Sequence, residues 1–493
     1  MKKRKPIPEK LGGETEPSDF ERKFSGLSVA VLTAFIVLVG CGVWQRVDRC
    51  DRFPSMFHTM RQYTSTLRAR DIYLAAKTDE NLTDAERAYV SQVAKELVYE
   101  PPVSEFVVAM WYRMTGTEAP WISTYLATMF WSAGALLLFD IVTRLGWTGV
   151  PRLAAVGFFM TSPLGIIVCR TFQPEPLMLM GFLLGLWLVL RFGYPDSWKH
   201  AACLGMLCGI FLLAKPGFML FPLCAAVTGL GVSKSGWRGV LTDPGWYLFG
   251  VLCALPSLLW IQVICAHQQS TSFMPGLLAE LGLWQRWVSF LQAYYGITLV
   301  SFVALGVALG TDTHQRLVCV GMFVGYLFFV IATNYRSMTH SYYSVALLPV
   351  IAIAVAPLME ILFRDRNRSL RSIFGVIVVA CWCISLSMQA RAESQTHYTP
   401  LSQSDYDKIA KTVGVGGKVV AITDDYSRAL KFHSYLDARN WPSSADISLD
   451  VAAGRQVPTM EERLREFRRW GATHFVAVLS GRAMGAANTA NTR

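Results

Sequence analysis

Apolar residues in this chain fill whole stretches instead of marking one face. Eleven such stretches stand near 27–45, 121–143, 150–169, 175–192, 200–214, 216–233, 245–266, 287–310, 316–333, 341–362 and 371–390. An α-helix rises about 1.5 Å per residue, so roughly 20 apolar residues cross a hydrocarbon core of about 30 Å. The pattern predicts an α-helical polytopic membrane protein with about 11 transmembrane helices. Stretches 200–214 and 216–233 are short and divided only by Lys215, Pro216 and Gly217. Fusing them would invert everything downstream.

Lysine and arginine concentrate on cytoplasmic loops, which orients such a bundle. With the N-terminus inside, the cytoplasmic segments carry Lys2 to Lys5, Arg144, Arg152, Arg191, Lys199, Lys234, Arg238, Arg316 and the Arg364 to Arg371 cluster. The short outer loops carry Arg170, Lys215, Arg286 and Arg336. This alternation supports dividing the doubtful pair and predicts a multi-pass protein of the cell inner (cytoplasmic) membrane. Residues 1–26 are then a cytoplasmic tail, and 27–390 a transmembrane domain with a large first outer loop at 46–120. Residues 391–481 form an extracytoplasmic domain and 482–493 a disordered tail. Leu38-Val39-Gly40-Cys41 resembles a lipoprotein cleavage box, but the long polar stretch before it disfavours that reading.

Composition agrees. Hydrophobic residues make up 53% and charged ones 16%, against about 25% charged in soluble domains, which excludes an ordinary cytosolic enzyme. The net charge of +11 lies mostly in connecting segments, so no nucleic-acid partner is expected. The eleven cysteines include no CxxC pair and sit mainly in apolar runs, as small buried side chains do. A Cys50–Cys169 bridge has only a shared outer side in its favour.

In the first outer segment Met56, Met60, Tyr63, Leu67 and Leu74 recur at helical spacing, with His58, Arg61 and Arg68 on another side. The pattern predicts an amphipathic helix along the membrane surface, although a helix packed on the bundle needs the same stripe. Asn81-Leu82-Thr83 reads as a turn. In the tail, Ser404-x-x-Asp407 and Thr459-x-x-Glu462 resemble helix capping boxes, and Gly471 stops the second helix. Lys418 to Thr423 and His474 to Leu479 read as strands, giving a small α/β domain in the order strand, helix, helix, strand.

A charge at mid-membrane costs about 3 kcal/mol, so the carboxylates are informative. Between residues 106 and 392 only nine occur, and six of them, Asp140, Asp196, Asp243, Asp312, Glu360 and Asp365, face the cytoplasm. Glu118, Glu175 and Glu280 remain on the outer side, with Asp48, Asp51, Asp71, Glu100 and Glu105 of the first loop. None is at mid-span, where an ion-coupled transporter would be expected to keep one. Chemistry is therefore expected at the outer rim. Four patches there join charge to constrained backbone: Phe57-His58-x-x-Arg61-Gln62 with Ala69-Arg70, Tyr99-Glu100-Pro101-Pro102, Arg170 to Pro176, and Tyr335-Arg336 with His340-Ser341-Tyr342-Tyr343.

These patches, together with Lys215-Pro216 and the order of spans, resemble the polytopic GT-C type glycosyltransferases that use lipid-phosphate sugars. Relatives of that kind include protein O-mannosyltransferases and the lipid A aminoarabinose transferase. Tyr435-Leu436-x-x-Arg439-Asn440-Trp441 and Gly471 to Phe475 resemble the outer domain of bacterial members. Where many relatives carry an acidic candidate base, two places before the histidine of the "H..RQ" run, this chain has Met56. The base is then Asp51 or Asp48, or comes from another loop such as Glu175, or activity is altered or lost.

The resemblance implies transfer of a sugar from a polyprenyl-phosphate donor to an extracytoplasmic glycan, lipid or protein acceptor, amid membrane lipids. An attacking hydroxyl needs a carboxylate to take its proton, and a departing lipid phosphate needs positive charge. Glu175, Asp51 and Asp48 are the candidate bases. Arg61, Arg70, Lys215 and Arg336 are candidate phosphate ligands, and His58, Gln62, Tyr342 and Tyr343 candidate substrate contacts. Glu100 and His340 are candidate ligands of a divalent metal cofactor. Acceptor specificity would live in the first loop and the tail. Each patch also has a plainer explanation: cations snorkel to headgroups, prolines start helices, Glu175 complements a helix dipole, and His340 with its tyrosines forms an interfacial belt. A transporter, or a relative that binds a lipid-linked sugar without catalysis, are the alternatives.

Overall fold

The computed structural model describes residues 29–50, 54, 57–93, 100–195, 197–265, 273–363, 368–394, 401–452 and 456–478. The expected tails 1–26 and 482–493 lie outside them, as do Asp51, Met56 and Tyr99. In chain order the helices are α1 (Val29–Val47), α2 (Thr59–Leu74), α3 (Asp84–Gln92), α4 (Val103–Thr115), α5 (Ile122–Arg144), α6 (Val150–Thr161) and α7 (Pro163–Cys169). Then follow α8 (Glu175–Phe192), α9 (Trp198–Leu212), α10 (Leu220–Thr242), α11 (Pro244–Cys265), α12 (Leu281–Tyr294), α13 (Ile297–Gly310), α14 (Thr313–Ala332), α15 (Asn334–Thr339), α16 (Leu348–Phe363) and α17 (Arg368–Ser394). The tail adds α18 (Gln403–Val413), β1 (Lys418–Ile422), α19 (Arg428–Ser434), β2 (Asp437–Asn440), α20 (Ser444–Ala452), α21 (Met460–Trp470) and β3 (His474–Ala477).

Every apolar stretch read from the sequence is helical, but not every one is a straight span. Among the described residues seven segments are long and apolar enough to cross a membrane, and nine if two bent pairs each count as one. The stretch at 150–169 bends 48° between α6 and α7, where Pro163 withholds a backbone donor. The stretch at 287–310 is corrected more strongly, since α12 and α13 meet at 86°. Gly296 makes that corner in the left-handed region, at φ 75°. The doubtful pair 200–214 and 216–233 is divided as expected, into α9 and α10.

Close helix contact uses small residues, which let backbones approach where lipid offers no hydrophobic drive. A methyl group at Gly321 or Gly325 of α14 would overlap the backbone of Ala225 or Phe221 in α10. Gly205 and Gly209 play the same part for α9 against Phe249 and Cys253 of α11, with a Cβ only 2.7 Å from each carbonyl oxygen. Ten described cysteines, Cys50 and Cys169 among them, are free.

A second core joins α2 and α4 to the tail: Tyr63, Leu67, Tyr73, Val108 and Tyr112 pack with Val419, Leu430, Leu436 and Ala438. Helix α2 is therefore not a surface helix, because twelve of its sixteen residues are buried. It packs between α4 and α19. The turn expected at Asn81 is a 3-10 turn at Asp79–Asn81, after which Thr83 and Glu86 form a capping box.

The tail is α/β with one strand more than expected. Its sheet is parallel in the order β2-β1-β3, with Val420 opposite both Arg439 and Phe475. Strand β2, of sequence DARN, has no apolar alternation to reveal it. Thr459, Glu462 and Gly471 cap α21 as read, whereas the box of α18 is Ser402 with Asp405, two residues before the predicted Ser404 and Asp407.

Candidate active site

Pro174 and Pro176 bracket the start of α8 and place Glu175 at its first residue. A carboxylate there faces unpaired backbone N–H groups and the positive end of the helix dipole. Glu175 is fully buried, and its Oε1 pairs directly with Nζ of Lys215, which stands in the α9–α10 turn and is 2% exposed. Its other oxygen, Oε2, is buried without a hydrogen bond among the described residues. The ammonium lies 4.0 Å from the ring centre of Phe218, 4.8 Å from Tyr342 and 5.0 Å from Tyr343. Such ring faces stabilise a desolvated cation. Burial lowers the Lys215 pKa, against the pull of Glu175 and Glu100.

A second pair stands beside the first. Arg61 Nη2 is 2.5 Å from Glu100 Oε2, and Arg68 reaches the same oxygen at 4.0 Å. Burial would raise the Glu100 pKa, but Arg61 and Lys215 outweigh it and hold the carboxyl at about 2. Burial would also lower that of Arg61, which Glu100 instead raises. Because Lys215 acts on Glu100, both pairs belong to one electrostatic unit. Glu105 differs: it accepts from Ser65 Oγ at 2.8 Å, and burial raises its pKa, favouring the neutral acid.

The third patch completes the wall. His58 Nε2 is 3.2 Å from Ser341 Oγ, its ring lies edge-on to Tyr342 at 4.6 Å, and it stacks on His340 at 6.2 Å. Both imidazoles are kept neutral: burial and the nearby Lys215 and Arg61 lower His58 to about 4, and burial with His58 and Arg336 lowers His340 to about 3. His58 also holds a left-handed backbone (φ 49°, ψ 52°), costly for a non-glycine residue and typical of functional sites. Gln62, read as a substrate contact, instead donates to Phe57 O at 2.7 Å and braces that turn.

Arg336, half-buried near His340, has no carboxylate partner among the described residues. Arg61, Lys215 and Arg336 gather with Glu100 and Glu175 around Tyr342. In a place of low dielectric such cations act strongly on an anion.

Two sequence-derived candidates, Arg70 and Asp48, stand elsewhere. Arg70 lies nine residues beyond Arg61, about 13 Å along the helix axis. It is committed to Glu118 at 2.6 Å, to Phe432 O at 2.7 Å and to the rings of Phe432 and Tyr435 at 4.1 and 4.5 Å. It thus fastens the tail to the first loop. Asp48 follows α1 and is 4.0 Å from Arg391 near the end of α17. Asp51 lies outside the described residues. Of the expected metal ligands, Glu100 gives Oε2 to two guanidinium groups, and among the described residues no three metal-binding side chains gather.

Sequence reasoning gave no separate role to Ser341, which His58 and Tyr294 share, nor to the ion pair of Arg68 with Glu100. The spacing of Arg61 and Arg68 was a usable signal, since residues seven apart share a helix face.

No protein-family model matches the sequence, and no curated protein matches it. In structure the chain is similar to ArnT of Cupriavidus metallidurans bound to undecaprenyl phosphate, with TM-score 0.52 and 12% identity over 89% of this chain and 91% of that one. The apo state of the same protein gives TM-score 0.53 and 12% identity over 88% and 90%. The apo oligosaccharyltransferase of Archaeoglobus fulgidus gives TM-score 0.51 and 10% identity over 83% of this chain. The chain spans only 64% of that longer protein. The fold that the sequence motifs implied is thus the fold found, one shared with ArnT and with the oligosaccharyltransferase.

Proposed function

We infer that the protein is an integral membrane glycosyltransferase that moves a sugar from a polyprenyl-phosphate donor to an extracytoplasmic acceptor hydroxyl. The observation that carries this is the buried cluster of Glu175, Lys215, Glu100, Arg61 and Arg336, built from segments far apart in the chain. The fold shared with a protein bound to undecaprenyl phosphate supports the donor class.

In the reaction the acceptor oxygen forms a bond to the anomeric carbon while the bond from that carbon to the phosphate oxygen breaks. The phosphate leaves with the electron pair, so it needs cations and no acid. Lys215, Arg61 and Arg336 supply them; the neutral His58 and His340 add no charge and offer hydrogen bonds. The acceptor proton goes to a carboxylate. Glu175, with one oxygen on Lys215 and the other without a partner, is our candidate, and Asp48 or Asp51 is the alternative. Tyr342 and Tyr343 wall the site and exclude water.

Purified protein given labelled polyprenyl-phosphate sugars and acceptors should consume donor and label acceptor. Turnover that survives loss of Glu175, Glu100, Asp48 and Asp51 together would refute the reading. Donor binding without transfer would mark a non-catalytic relative, and lipid flux without transfer a transporter.

A further inference from the structure

The docking of the tail on the first outer loop leaves a cleft of about 340 Å³ at their seam, within the range of small-molecule sites. Arg70, Tyr73, Lys77 and Glu118 line it from the loop; Phe432 and Tyr435 close it from the tail. None of these touches the Glu175–Lys215 cluster in any described contact, and the reaction outlined above uses none of them.

The charges of this cleft are internally matched. Arg70 is held by Glu118 through Nε at 2.7 Å and Nη2 at 2.6 Å, and Lys77 by Glu86 at 2.7 Å. Among the described residues an anion would find no unbalanced cation here. The polar edges remain useful to a neutral ligand. Glu118 directs Oε2 at both Arg70 nitrogens, which leaves Oε1 as an acceptor for hydroxyl groups. Gln403 stands exposed at the mouth. Arg70 lies over the rings of Phe432 and Tyr435 and Lys77 over that of Tyr73, so the cleft presents mainly polar groups to a ligand bearing many hydroxyls. Charges that cancel in pairs yet still offer acceptors to hydroxyl groups suit an uncharged sugar.

We propose that this seam is a remote subsite for an uncharged oligosaccharide portion of the acceptor. Its role in transfer rests on the glycosyltransferase reading; its ability to bind sugar does not. Helix α2 carries both sites, with Arg61 at one and Arg70 at the other, about 13 Å apart along the axis. A bound acceptor would be held away from the chemistry and presented to it by its reactive end. The cleft exists only when loop and tail are docked, so their union sets which acceptors fit.

The test is isothermal calorimetry on the full-length protein in a glycoside-free detergent. The probes are neutral tri- and tetrasaccharides of hexoses and of N-acetylhexosamines, beside uronic-acid oligosaccharides of equal length. The expected result is saturable binding of at least one neutral probe, weakened at least ten-fold by Gln403→Trp, which plugs the mouth from an exposed position. Glu118→Gln, which keeps the size but alters the acceptor, should weaken it as well, with the melting temperature of each variant showing that the fold persists. Glu175→Gln should bind the probe as the wild type does. No binding of any neutral probe, binding indifferent to Gln403→Trp, or preference for the acidic probes would overturn the proposal. Sugar binding in a protein that transfers nothing would defeat the glycosyltransferase reading and leave the subsite standing.

Discussion

Glu175 and Lys215 form a direct ion pair in which neither side chain meets solvent, 0% and 2% exposed, although forty residues of chain separate them. Removing one member of such a pair strands a buried charge, at about 3–5 kcal/mol, whereas replacing both by neutral groups is often tolerated. Glu175→Gln and Lys215→Met should each lower the melting temperature, and the double variant should recover much of that loss. If the pair also does chemistry, transfer falls at least 100-fold in all three. A double variant that is both stable and active would assign the pair to folding alone.

Arg336 separates donor binding from stability. It has no carboxylate partner among the described residues, so Arg336→Ala should leave the melting temperature nearly unchanged while raising the KM for lipid-phosphate donor about ten-fold. Arg61→Ala, which strands Glu100, should lower stability as well. Equal KM in wild type and Arg336→Ala would remove Arg336 from the donor site.

Glu100 gives its Oε2 to guanidinium groups, with which a divalent metal ion would have to compete. Transfer should therefore stay within two-fold after exhaustive chelation with EDTA. A loss restored by added magnesium, manganese or zinc would show that the site gathers ligands not visible in this arrangement.

His433 gives the docking of the tail a pH dependence. Gln403 Nε2 donates to Asp407 at 3.0 Å, so its Oε1 accepts from His433 Nδ1–H at 3.1 Å, and Nε2 of the same ring accepts from Tyr63 OH at 2.9 Å. Burial, then nearby Arg70, lower the pKa from 6.5 to about 4, against a small opposing pull from Asp407. The unfolded chain thus takes up this proton at higher pH than the folded one. Stability is complete above about 6.5 and declines as pH falls toward 4, by at most about 3 kcal/mol. His58 and His340 titrate in the same direction, so the informative quantity is the difference between wild type and His433→Gln. Identical stability-pH curves for the two would remove His433 from this role.

Local signals made most of the architecture legible. Continuous apolar runs, the cap at Thr459 with Glu462, Gly471, and the β-branched runs at Lys418 and His474 act within a turn or a strand, so each names its element without distant help. The motifs likewise marked one rim of the bundle, since prolines fix where α8 begins and therefore where Glu175 stands.

Other features required the folded chain. That Glu175 meets Lys215, that Arg61 and Arg68 converge on Glu100, and that Arg70 serves the tail instead of the donor site are pairings between distant segments. Burial removes competing water and makes each charge take the nearest opposite partner, so packing alone selects among the candidates. The same holds for the 86° corner at Gly296 and for strand β2. An apolar run states that a helix can form, but its neighbours decide where it turns, and a polar strand exists only because β1 offers it an edge.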